Sequence, residues 1–143
     1  MDAIQISRTG LDVEWQRLQV IAQNLANMNT THTASGAPYR AMRLLSGPQG
    51  DFSALVHGGT EAARAQGVKV MGLAPEAGGG VRRVYEPNHP DADAQGFVSY
   101  PEIDHAAEMT LLIRTSRVYE ANLTAMSIAQ QMYSRAAQLG RQS

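Results

Sequence analysis

Apolar residues recur every seven positions at the start of the chain, at Ile4, Leu11, Leu18 and Leu25, with Ile21 and Met28 three residues after the last two. That spacing is an a/d stripe and predicts a helix built to pair with another helix. The stripe stops in NLANMNTTHTASGAP, where Asn27, Asn29, Ser35, Gly36 and Pro38 favour turns. A second periodic segment runs from about Asp104 to Leu139, or about 50 Å of helix at 1.5 Å per residue. Asp104 is placed to cap it, and Pro101 disfavours helix before it. One seam reads Met109, Leu112, Ser116, Tyr119, Leu123, Met126, Gln130, Tyr133, Ala137, and a second reads Leu111, Val118, Ala125, Ile128, Met132, Leu139.

Two apolar seams on one helix need two sets of partners. The N-terminal helix covers one. Either the middle segment folds back over the other or neighbouring chains cover it. Burial of each large apolar side chain contributes about 1.5–3 kcal/mol, and a long exposed apolar face usually marks an interface. Other chains are therefore the expected partners. The assembly residues expected on this basis are Leu11, Leu18, Ile21 and Leu25 of the first helix with Met109, Leu112, Tyr119, Leu123, Met126 and Tyr133 of the last.

Between the helices the punctuation changes. Eleven of the 13 glycines lie between Thr30 and Tyr100, and all six prolines lie from Pro38 to Pro101. GVKVMGL (67–73), VRRVYEP (81–87) and GFVSY (96–100) are β-branched or aromatic runs bounded by such residues and predict short strands. The stretch from Leu45 to Gln66 reads as a loop with one helical turn. The expected fold is α+β: long N- and C-terminal helices forming a coiled-coil-like pair around a small β-rich middle. In domain terms, residues 1–30 and 102–140 make a discontinuous helical unit and 31–101 the middle domain.

Charged residues make up 17% of the chain and the net charge is −1, so no basic surface points to nucleic acid. No run of 18 apolar residues exists to span a membrane as a helix. The opening MDAIQISRTG lacks a basic region followed by an apolar stretch, so a cleaved secretory signal is not expected. Cysteine is absent, which removes disulfides, thiolate metal sites and cysteine nucleophiles.

One loop tests that picture. From Asp91, the residues Asp91, Asp93, Gln95, Gly96 and Glu102 fall near positions 1, 3, 5, 6 and 12 of a calcium loop. An EF-hand needs a helix entering the loop, yet Pro87 and Pro90 break the approach, and Gln95 is a poor ligand. A tight Asx-rich turn between two strands explains the same residues, so a calcium- or metal-regulated module is the alternative rather than the expectation. The histidines, His32, His57, His89 and His105, include no i, i+3 or i+4 pair for zinc. His89 near Asp91 has no nucleophile motif to serve, and Gly78–Gly80 lacks the lysine of a phosphate loop. No enzyme, cofactor or metal is expected. Arg114, Arg117 and Glu120 read as a solvated or register-setting face.

The residues also carry a resemblance. NLANMNTT (24–31) followed by PYR (38–40) resembles the N-terminal signature of flagellar rod and hook axial proteins. GVKV (67–70), VYEPNHPDADAQGFVSYPEID (84–104) and SRVYEANLTA (116–125) are similar to proximal-rod members of that family. The match is loosest from Leu45 to Gln66. Met28, where alanine is commoner, and the less aliphatic IDHAAEM (103–109) depart from the pattern in local packing. The resemblance implies a structural subunit of the flagellar basal body, in a rod crossing the periplasm. It also implies passage through the flagellar type III export apparatus without signal cleavage. Its implied partners are copies of itself and related rod subunits, joined head-to-tail to transmit torque.

Overall fold

The structure, a computed structural model, describes residues 3–50 and 67–140. The elements in chain order are α1 (Ala3–Ala26), β1 (Met42–Pro48), β2 (Val68–Pro75), β3 (Val81–Tyr85), β4 (Phe97–Pro101) and α2 (His105–Leu139). Strands β1 and β2 pair in one two-stranded sheet and β3 and β4 in another. The arrangement is α+β, with long helices at the two ends of the chain and short strands between them.

Each helix ends where local chemistry satisfies its free backbone groups. The Asp104 carboxylate accepts the Ala107 N–H at 3.1 Å, which caps the start of α2. At the end of α1 the Asn27 carboxamide donates to the Gln23 carbonyl at 2.9 Å, and the Thr30 hydroxyl donates to Asn27 at 3.0 Å. The chain then turns back so that the Tyr39 N–H reaches the Thr30 carbonyl at 3.1 Å.

Strand β1 falls where a loop was expected to begin, and its MRLLSGP does not alternate. Pairing made elsewhere in the chain overrides the Ser-Gly-Pro turn signal: β2 supplies the ladder, and proline is tolerated because it closes the strand. The rest of the expected Leu45–Gln66 loop, from residue 51 on, lies outside the described residues.

The chain forms two compact units. One comprises Met1–Gln16, Leu45–Gly72 and Thr115–Ser143, the other Arg17–Leu44 and Leu73–Arg114. In the first, Leu11 and Val13 are buried. Gly10 lies against Asn122, and Trp15 meets Tyr119 with ring centroids 6.3 Å apart, so the two helical segments run antiparallel. A Cβ on Gly10 would stand 3.1 Å from the Asn122 carboxamide, so a larger side chain there crowds Asn122.

In the second unit the core is Val20, Ile21, Ala41, Leu44 and Val98. Strands β3 and β4 are antiparallel, with Val84 opposite Val98 and Tyr85 opposite Phe97. The loop joining them is tied by Asp93, whose Oδ1 accepts the Gln95 and Phe97 N–H groups, both at 2.9 Å. Gly96, at φ +83°, closes the loop, and a Cβ there would lie 2.9 Å from the Tyr85 ring.

Candidate functional site

The deepest side chains are not all apolar. Asn24 is fully buried and Glu108 is 1% exposed, alongside the apolar Val98. Buried polar groups must find partners, and these do. The Asn24 carboxamide accepts the Met42 N–H at 3.0 Å and donates to the Met42 carbonyl at 2.9 Å. Its oxygen also accepts the Tyr39 hydroxyl at 2.9 Å, and its nitrogen lies 3.4 Å from Glu108 Oε2. On the other side of Glu108, Arg43 Nη2 donates to Oε1 and also reaches Glu76 at 2.7 Å.

Electrostatics follow this geometry. The hydrogen bond to Glu108 holds the Arg43 guanidinium above its ordinary pKa against the opposing effect of burial, with Glu76 assisting. Burial pushes the Tyr39 hydroxyl up, and the Glu108 charge adds to that. Arg43 Nη1 is buried and has no hydrogen-bond partner among the described residues. A cavity of about 220 Å³ opens beside it, lined by Arg43, Glu76, Glu102, Asp104, Glu108 and the Gly78–Gly79 turn. The sequence reading missed this cluster. In the sequence Asn24 stands within the NLANMNTT signature and Glu108 within a segment short of aliphatics, and neither signals a buried partner.

The ten expected assembly residues divide by cover. Leu11 and Ile21 are buried inside the chain. Leu18, Leu25, Leu112, Tyr119 and Met126 are half-buried. Met109, Leu123 and Tyr133 are exposed, Tyr133 to 70%. In the first unit the half-buried positions of α2 are Ser116, Tyr119, Asn122, Met126 and Ala129, and every residue from Gln130 to Gly140 is exposed. Ile128, Met132 and Leu139 are large apolar side chains left in the open on that segment.

The Asp91–Glu102 stretch is built as a turn that runs into β4. Asp91 accepts the Thr31 hydroxyl at 2.6 Å, Asp93 binds two N–H groups and pairs with Arg83, and Glu102 sits against Gly80. Among the described residues, no three of His, Asp or Glu are grouped to hold a metal ion. The Phe97 and Gln95 N–H groups, with Arg83, hold the Asp93 carboxyl below its ordinary value despite some desolvation, Phe97 contributing most. His89 Nδ1 accepts the Asp91 N–H at 3.1 Å, so the histidine beside Asp91 is engaged by the backbone of the turn. Tyr100 donates to Glu86 at 2.9 Å, and that bond pushes its hydroxyl pKa up. Of the remaining histidines, His32 and His105 are exposed, and His57 lies outside the described residues.

The chain combines long terminal helices with a short-stranded middle and leaves large apolar side chains exposed on α2. The comparisons with known proteins place it. The family model described as Flagella basal body rod protein matches residues 4–31, and that described as Flagellar basal body rod FlgEFG protein C-terminal matches 94–139. The flagellar basal-body rod protein FlgC of Bacillus subtilis is 32% identical over 97% of this chain and 97% of its own length. Its namesake in Escherichia coli O157:H7 is 33% identical over 99% and 98%, and that of Borreliella burgdorferi 31% over 92% and 91%. The chain belongs to the FlgC family of flagellar basal-body rod proteins. It is a structural rod subunit of the flagellar basal body, not an enzyme, and no helix among its described residues is long and apolar enough to cross a membrane.

Proposed function

We propose that this chain is a proximal-rod subunit that joins copies of itself and related rod proteins head-to-tail, in a tube that transmits motor torque. The observation that carries the reading is the uncovered end of α2, where Ile128, Met132, Tyr133 and Leu139 are exposed. Large apolar residues on one helical segment are costly to leave in water, and contacts between neighbouring subunits remove that cost. Head-to-tail contacts that do not close a ring build a filament.

In this reading residues 1–30 and 102–140 form the discontinuous rod core, with the helices packed in coiled-coil fashion, and 31–101 form the middle domain. Met109, Leu123 and Tyr133 face neighbours. Leu18, Leu25, Leu112, Tyr119 and Met126 present their uncovered edges, while Leu11 and Ile21 hold α1 in place. The subunit is exported through the flagellar type III export apparatus without signal cleavage and serves in the rod across the periplasm.

The test is a complementation experiment in a motile strain lacking this subunit. Glutamate at Leu123, Met132 and Tyr133 should leave the purified chain as helical as the wild type, yet abolish rod assembly and swimming. Full motility with three charges on that segment would overturn the assignment of the face.

A further inference from the structure

We propose that the Asn24–Arg43–Glu108 cluster is a register lock, which fixes the axial position of α2 against α1 and β1 in the second compact unit. The neighbouring apolar side chains cannot do this alone. Val20 and Ile21 on α1 and Leu111 and Leu112 on α2 gain from burial without regard to direction. A slip of α2 by one turn, about 5.4 Å, puts Thr115 and Ser116, or Ala107 and Glu108, at the places of Leu111 and Leu112, and because those leucines are only half-buried the apolar loss is partial.

The polar groups tell the registers apart. Glu108 is 1% exposed and receives Arg43 on one oxygen and Asn24 on the other. A slip of three or four residues brings Leu111 or Leu112 to its place, and neither has an acceptor to offer. Arg43 then keeps only the more exposed Glu76, although its Nη1 is already buried without a partner. Asn24 cannot follow α2, because both ends of its carboxamide are bound to Met42. The wrong register therefore buries charge and amide without their partners. A buried polar group that selects one register of a helix pair is an established use of such residues.

The inference is independent of what the subunit assembles with, and the cysteine-free chain makes it measurable. Spin labels on cysteines placed at the exposed Ala22 and Ala106 read the position of α2 against α1 by pulsed electron resonance. The parent should give one narrow distance. Asn24→Leu/Arg43→Met/Glu108→Leu should keep the fold with a lower thermal midpoint, because Met42 and Tyr39 lose their Asn24 partner, and should add a population displaced by up to about 5 Å. Glu108→Leu/Leu112→Glu moves the acid one turn on and should displace the whole population in one direction. Retention of the single parental distance in both variants would overturn the lock. So would a triple variant that does not fold, because the cluster would then supply stability rather than register.

Discussion

Asn24 pairs with the main chain of Met42 through both ends of its carboxamide, accepting the N–H at 3.0 Å and donating to the carbonyl at 2.9 Å. A side chain on α1 thereby stands in for a neighbouring strand at the start of β1. Asn24→Ala removes both bonds together with the acceptor for Tyr39. Each buried group left unpaired costs about 1–3 kcal/mol. In a chain of 143 residues each kcal/mol lowers the thermal midpoint by roughly 2–4 °C. Calorimetry should show a clear drop, and Asn24→Asp, which adds an anion beside Glu108, should drop further at neutral pH. A midpoint unchanged in both variants would show the pairing to be idle.

Removing one partner of the Arg43–Glu108 pair should be worse than removing both. Glu108→Ala leaves a part-buried guanidinium with only Glu76, and loss of one member of a buried pair costs about 3–5 kcal/mol. Arg43→Met combined with Glu108→Leu should recover most of that loss. Denaturant unfolding of the two single variants and the double measures the coupling directly, and strictly additive losses would refute it.

Gly10 of α1 lies against Asn122 of α2 in the first unit. Gly10→Leu should destabilise the chain by about 1–3 kcal/mol through overpacking against Asn122. Gly10→Leu/Asn122→Ala should recover part of that by making room. Equal losses in the single and double variants, read from thermal unfolding, would place the crowding elsewhere.

Asp93 gives the β3–β4 loop an acid limit. Its carboxyl is held below the ordinary value of 3.8 by the Phe97 N–H first, then by the Gln95 N–H and Arg83, against some desolvation. A depressed folded value means that the contribution to stability is present above the unfolded value and is lost as pH falls through the folded one. The Asp93 carboxyl resonance should therefore titrate with a midpoint below 3.8, and the Gln95 and Phe97 amide shifts should move with it. Asp93→Asn should abolish that titration. A midpoint above the ordinary value would contradict the hydrogen-bonded turn.

Much of this fold was legible in the sequence because its signals are local. The heptad of Ile4, Leu11, Leu18 and Leu25 gives α1, Asp104 after Pro101 gives the start of α2, and β-branched runs give β2, β3 and β4. The turn reading of Asp91, Asp93 and Gly96 was available because an Asx side chain bonds backbone only two to four residues away. Strand β1 was not legible, because its pairing with β2 overrides a turn-like Ser-Gly-Pro.

The site divides in the same way. Apolar period marks Tyr133 and Leu123 as candidate contact residues, but it cannot say that Leu11 and Ile21 are already covered by the chain itself. Nor could it find the buried polar cluster. Asn24 and Glu108 are 84 positions apart, and an asparagine or glutamate within a helical pattern reads as solvent-facing. Sequence alone determined the class of element, the family pattern and the apolar face left over. Tertiary structure alone decided which polar side chains leave water, because a buried carboxylate or amide is tolerated only where the fold brings a distant partner to it.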